Sequence, residues 1–280
     1  MDLVWSELCL GSRLSRSNTT FGLVFHVEGL VNESIFGLLE DFGRMLSGSF
    51  RPLLTCITPI CPMFYQDPWL YPLRVRMPLF DMTQATVSDF SSKLSDLSEW
   101  FDIGYHGHFF ARDGQSYMPA FDEPSALSQF DKEFELLSDL GFKPTTYAGG
   151  WWFIATWLIS KLRSRGFEID TTINDVRRDA FLRNQPFPLT RLGEAFWITQ
   201  GLLEIPSIRT ASAIARQMID GGDHCNLAVL ALHDYDLRSG TVAATIRNIL
   251  KLLIRKDRVM SLGEMLGQSA SFKPKFRPMI

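Results

Sequence analysis

The sequence has only four cysteines in 280 residues, Cys9, Cys56, Cys61 and Cys225. They form no C-x-x-C pair and no zinc-type spacing, which excludes a disulfide scaffold and a cysteine-built zinc module. Buried, reduced thiols are the expectation. Charge is also scarce, at 21% of residues, with 28 Lys+Arg against 31 Asp+Glu. A near-neutral chain lacks the basic stripe that displaces counterions, so no nucleic-acid partner is expected. Its basic cluster, Ile254-Arg255-Lys256-Asp257-Arg258, reads as a solvated helix end. Long apolar runs are missing as well. The longest, Trp151 to Ile159, is too short to cross about 30 Å of hydrocarbon, so no transmembrane segment is expected. Met1 to Ser17 mixes apolar and polar residues and lacks the layout of a signal peptide, which implies a cytoplasmic protein.

What the chain does have is apolar and aromatic material: 46% hydrophobic residues, with 22 Phe, 7 Trp and 6 Tyr. That excludes intrinsic disorder. Apolar β-branched runs alternate with helical periodicities. Strands are expected at Thr20–Gly29, Arg51–Pro59, Phe101–Phe110, Lys143–Tyr147, Phe167–Asp170, Gly201–Pro206 and Asn226–His233. Helices are expected at Ser34–Leu46, Val87–Trp100 with Ser88 as cap, Ser125–Leu140, Trp151–Arg165, Thr210–Asp220 and Val242–Arg255. Pro59 to Pro78 reads as a loop excursion. The alternation, without a linker or repeat, implies an α/β fold with a parallel sheet and one domain over residues 1–280.

Functional residues of such folds gather at the carboxyl ends of strands. Three expected strands end in histidine: His26 with Glu28 two residues on, His106 with His108, and His233 before Asp234. Strand side chains alternate, so His26 and Glu28 share a face, and so do His106 and His108. Imidazole and carboxylate are natural ligands of zinc or a similar divalent ion. Each histidine alone is also compatible with a structural role. Gly149-Gly150-Trp151-Trp152 is either a core plug or an aromatic wall for a sugar.

These motifs, in this order, resemble the polysaccharide deacetylase (NodB-homology) family from about Phe21 to Leu266. The matching stretches are Phe25-His26-Val27-Glu28-Gly29, Asp102 to His108, Leu140 to Pro144 with Tyr147 to Trp151, Ile169 to Thr172, Leu203 to Pro206, and Ala231 to Asp236. The resemblance implies a distorted (β/α) barrel and metal-dependent removal of an acyl group from a sugar. It makes Glu28 and His106 metal ligands, His233 the general acid, and Trp151, Tyr147 and Asp234 substrate-facing residues. It also exposes departures. His26 stands where the family has its catalytic Asp base, Phe110 where it has a second histidine four residues after the first, and Tyr147 where it has Arg.

Three readings stay open. The metal site is rebuilt from Glu28, His106 and His108, perhaps with His26, in a divergent sugar N-deacylase. Alternatively His26, Glu28 and His233 perform metal-free acid–base chemistry. Or the barrel is an inactive protein that binds a saccharide or scaffolds an assembly complex. The expected substrate is an acylated amino sugar on a lipid or nucleotide carrier, in surface-polysaccharide biosynthesis such as O-antigen or capsule. The cofactor, if present, is a divalent metal. The oligomeric state stays open.

Overall fold

The computed structural model describes residues 20–66, 76–172, 190–192, 196–205, 207–208, 227–237 and 239–269. The expected helix Thr210–Asp220, residues 67–75 of the Pro-rich excursion, Cys9 and Cys225 lie outside them.

The chain opens with β1 (Thr20–Val27), α1 (Glu33–Leu46) and β2 (Leu53–Cys56). β1 is buried along nearly its whole length, as expected of a parallel strand covered on both faces. Asn32 starts α1, its Oδ1 accepting from Ser34 N at 3.0 Å, and the helix buries Ile35, Leu39, Phe42 and Leu46 against the sheet. After β3 (Met77–Pro78), α2 (Gln84–Leu97) leads to β4 (Asp102–Gly107). The cap of α2 is Thr83 rather than Ser88, because the Thr83 hydroxyl accepts from Thr86 N at 3.1 Å. The first buried residue of α2 is Phe90, so hydrophobic periodicity begins too late to mark the helix start.

β5 (Phe110–Asp113) and β6 (Ser116–Pro119) form a hairpin through Gly114, at φ 59°, which β3 extends to a side sheet. The strand expected over Phe101–Phe110 therefore stops at Gly107. α3 (Glu123–Asp139), β7 (Thr146–Gly149), α4 (Thr156–Ser164) and β8 (Ile169–Asp170) complete the middle. The helix expected over Trp151–Arg165 breaks in two. Trp151 and Trp152 have φ of 51° and 55°, and Phe153 is extended, so only Thr156 onward is α-helical. β9 (Thr190–Leu192), β10 (Phe196–Thr199) and β11 (Leu202–Glu204) form an antiparallel meander. β12 (Ser207–Ile208), β13 (Leu227–His233), α5 (Asp234–Leu237), α6 (Gly240–Arg255) and α7 (Leu262–Ser269) follow.

The main sheet runs β12-β13-β1-β2-β4-β7-β8-β11-β10-β9, parallel from β12 to β11. Residues 202–204 pair with β8 (Glu204 opposite Asp170), and residues 207–208 pair with β13 (Ser207 opposite Val229). The parallel strands curl into a distorted (β/α) barrel. All parallel strands then deliver their carboxyl ends to one face.

Candidate active site

Register aligns the histidines. His26 on β1 lies opposite His233 on β13 and opposite Thr55 on β2, and His106 on β4 lies opposite Ala148 on β7. Glu28 and His108 follow the ends of β1 and β4. The His26 ring stacks on His233 with centroids 5.0 Å apart and lies 4.9 Å from His106. His233 stacks in turn on Tyr235 at 4.6 Å, and its backbone N–H donates to the Asp236 carboxylate at 3.0 Å.

Glu28, His106 and His108 converge as a tripod. His108 Nε2 lies 3.1 Å from Glu28 Oε1 and 3.1 Å from His106 Nε2, and His106 Nε2 lies 3.5 Å from Glu28 Oε1. Ligands at about 2.0–2.1 Å from a tetrahedral zinc stand roughly 3.3 Å apart. The three spacings bracket that value, so the donor set fits a divalent ion. His106 Nδ1 lies 3.0 Å from the Ala148 carbonyl. A carbonyl only accepts, so Nδ1 carries the proton and Nε2 presents its lone pair to the centre.

The electrostatics agree with this. Burial by itself would raise the Glu28 pKa, but the neighbouring His106 and His108 side chains and the charge of His233 hold it well below the usual range. Burial lowers the His108 pKa, against the pull of Glu28, so its imidazole is neutral at neutral pH. An ionised carboxylate beside the neutral His108 imidazole is a protonation state that suits a cation. All three side chains are nearly dry, at 6%, 2% and 3% exposure for Glu28, His106 and His108.

The Thr55 hydroxyl lies 3.3 Å from the Phe25 carbonyl and 3.2 Å from His26 Nδ1. When it donates to the carbonyl it accepts from Nδ1, and Nε2 is then the basic nitrogen of His26.

The Gly-Gly-Trp-Trp stretch has a steric reason. The His108 ring lies flat against Gly150: a Cβ there would sit 2.2 Å from His108 Cδ2 and 2.3 Å from its Nε2. Trp151, at φ 51°, turns its ring edge-on to His108 at 4.6 Å and packs on Phe110 at 5.3 Å. Positive φ at two successive tryptophans is backbone strain of the kind that collects at functional sites. Phe121, 45% exposed, extends this wall, 5.8 Å from Trp151. Gly150→Ala is expected to push His108 off the tripod, destabilising the fold by about 1–3 kcal/mol and abolishing tight zinc binding. Thermal melts and zinc titration of the variant check this; retained zinc affinity would show that the ring has room to move.

Two residues expected to face substrate are buried in the structure. Tyr147 is fully buried; its ring covers Gly107 and its hydroxyl donates to the Phe153 carbonyl at 3.3 Å. Asp234 is also fully buried. Its carboxylate accepts from the N–H groups of Glu28 at 2.8 Å, Gly29 at 2.6 Å and Tyr235 at 2.8 Å. It therefore ties the Glu28 backbone to the end of β13. Burial and the Glu28 charge push Asp234 up to about 7, against those three donors.

Sequence reading missed Thr55 and a second acidic pair. Asp170 and Glu204 face each other in register across β8 and β11, both fully buried. Burial raises Asp170 to about 6, against hydrogen bonding with Glu204 and Thr172. The Thr172 hydroxyl donates to Asp170 Oδ1 and accepts from Gly149 N at 2.7 Å, which connects the pair to the Gly-Gly turn.

The architecture is that of the polysaccharide deacetylase (NodB-type) barrel. Among solved structures, the chain matches a protein described as a polysaccharide deacetylase from Mycobacterium smegmatis, at TM-score 0.52 and 15% identity over 94% of this chain and 96% of that one. A family 4 carbohydrate esterase from Streptomyces lividans in complex with acetate matches at TM-score 0.44 and 12% identity, covering 88% and 92% of the two chains. A protein from Bordetella bronchiseptica, described as a polysaccharide deacetylase involved in O-antigen biosynthesis, matches at TM-score 0.43 and 13% identity, covering 91% and 93%. No protein-family model and no curated protein matches the chain. Among the described residues, no helix is long and apolar enough to cross a membrane.

Proposed function

We propose that this chain is a divergent, metal-dependent sugar N-deacylase, a deacetylase or deformylase of an acylated amino sugar on a lipid or nucleotide carrier, working in the cytoplasm in surface-polysaccharide biosynthesis. The observation that carries this reading is the tripod: Glu28, His106 and His108 meet at metal-ligand spacing beside two further histidines, His26 and His233, on the carboxyl face of the barrel. A divalent ion held by these three residues would polarise the acyl carbonyl and acidify an attacking water.

The remaining chemistry belongs to the side chains. His26, with its proton on Nδ1, accepts the water proton at Nε2 and so stands in for the family's Asp base. His233 donates a proton to the departing amine, since expulsion of an amine from a tetrahedral carbon requires its protonation. Trp151 offers the ring face on which the C–H face of a pyranose stacks. The low exposure of the tripod favours one alternative, a barrel that binds a saccharide without turning it over.

Acetate or formate release from acylated amino sugars, measured with zinc-loaded protein, separates the two readings. His233→Ala is expected to lower release by about 10²–10⁴-fold with metal content unchanged. Saccharide binding without release, in parent and variant alike, would establish the inactive barrel instead.

A further inference from the structure

The two histidines of the tripod are held in different ways. His106 has its ring fixed by the Ala148 carbonyl. His108 has no such partner: among the described residues its buried Nδ1 makes no hydrogen bond. A ligand whose far nitrogen is unanchored must be oriented through packing and through its own backbone.

That backbone is clamped from outside the sheet. β4 ends at Gly107 and β5 begins at Phe110, so residues 108–109 form a link between strands. Gln129, one residue before Phe130 on the buried face of α3, reaches across this link. Its Nε2 donates to the His108 carbonyl at 2.8 Å, and its Oε1 accepts from Phe110 N at 2.6 Å. The side-chain amide thus supplies one donor and one acceptor, as a neighbouring strand would. Its second N–H goes to Glu133, one helical turn on and fully buried, which fixes which end of the amide faces which group. Ala120 N donates to the Phe109 carbonyl at 2.9 Å, and Cys61 Sγ approaches the His108 carbonyl at 3.5 Å. The carbonyls of His108 and Phe109 and the N–H of Phe110 therefore each have a defined partner, and Gln129 holds the two on either side of Phe109.

We propose that Gln129, braced by Glu133, is a positioning residue of the metal centre. It holds the 108–110 link so that His108 supplies the third donor while Phe110, at the position expected of a ligand, turns into the aromatic cluster with Trp151. This rests on the metal-centre reading above.

Zinc affinity of the full-length protein, with cobalt(II) absorption as a report on the ligand set, tests it. Gln129→Met keeps the volume and removes all three side-chain hydrogen bonds, the two to the link and the one to Glu133. It is expected to bind zinc about 10–100-fold more weakly and to alter the cobalt spectrum. Leu137→Ala, a cavity in the same helix away from the link, serves as the stability control. It is expected to lower the melting temperature at least as much with zinc affinity unchanged. Gln129→Glu keeps the acceptor for Phe110 N and loses the donor to His108, and is expected to weaken zinc several-fold. It decides the question if the methionine variant does not fold. Parent-like affinity in the folded Gln129 variants would overturn the positioning role. Equal affinity losses in the Leu137 control would overturn it too, since stability would then explain the effect. A parent protein with no zinc affinity would overturn the metal-centre reading and this inference with it, and the parent titration alone distinguishes that case.

Discussion

Glu28→Gln is expected to yield folded protein that no longer retains zinc through dialysis and releases acyl groups on the order of 10³-fold more slowly. The size follows from the several kcal/mol of transition-state stabilisation that a bound Lewis acid contributes, at about 1.4 kcal/mol per decade of rate. Glu28 is the only carboxylate of the tripod. It stays ionised in a dry site because the neighbouring histidines hold its pKa well below the usual range. Its glutamine isostere keeps the volume and the backbone N–H donated to Asp234. It removes the negative charge that the two imidazoles need beside them to hold a cation. The charge that pushes up the Asp234 pKa disappears with it, so a small gain in stability near neutral pH accompanies the loss of metal. Metal analysis sets this variant apart from His233→Ala, which removes turnover and leaves metal in place. A Glu28→Gln protein with stoichiometric zinc would show that the carboxylate is not a ligand. Full turnover without zinc would instead favour acid–base chemistry by His26 and His233.

The site was legible where the signal is local. Parallel strands buried on both faces are apolar runs, and the carboxyl end of each is where polarity returns. The run Asn226–His233 reads directly as β13, and alternation alone puts His106 and His108 on one face. What was hidden depends on residues distant in the chain. Nothing within five residues of His108 indicates that Gln129, 21 positions later, holds its carbonyl. Asp170 and Glu204, 34 residues apart, become a pair only because β11 lies in parallel register beside β8. Tyr147 and Asp234 occupy motif positions that imply contact with substrate, but motif position carries no information on burial. In the Trp151–Arg165 stretch, hydrophobic periodicity suggested a continuous helix. The two positive φ values that break it follow from packing Trp151 against His108 and Phe110, which is tertiary rather than local. The family resemblance drew attention to the absent histidine at Phe110. The structure brings His108 from two residues earlier into the tripod, with Gly150 clearing space for its ring.

Glu133→Gln is expected to flatten the dependence of stability on pH. Glu133 is fully buried on α3, behind Gln129 and beside the hydroxyls of Tyr105 and Thr58. Burial raises its pKa from 4.5 to about 8, although hydrogen bonds from Gln129, Tyr105 and Thr58 oppose the rise. The folded protein therefore holds a proton that the unfolded chain has already lost, across the window between those two values. With the folded state binding more protons, stability falls as pH rises through that window. The full loss, reached above about pH 8, is on the order of 3–5 kcal/mol for a group whose charged form is this strongly disfavoured. Glutamine resembles the protonated acid in shape, offering one accepting oxygen and an N–H donor, and it does not titrate. The variant should match the parent at pH 5 and exceed it increasingly toward pH 9. Asp170 and Asp234, also raised by burial, contribute slopes of the same sign in both proteins, so the difference between the two unfolding curves isolates Glu133. Urea unfolding at a series of pH values measures it. Parallel curves for the two proteins would mean that Glu133 ionises inside the fold at little cost, and that its carboxylate finds compensation from Tyr105 and Thr58 stronger than their hydroxyls alone provide.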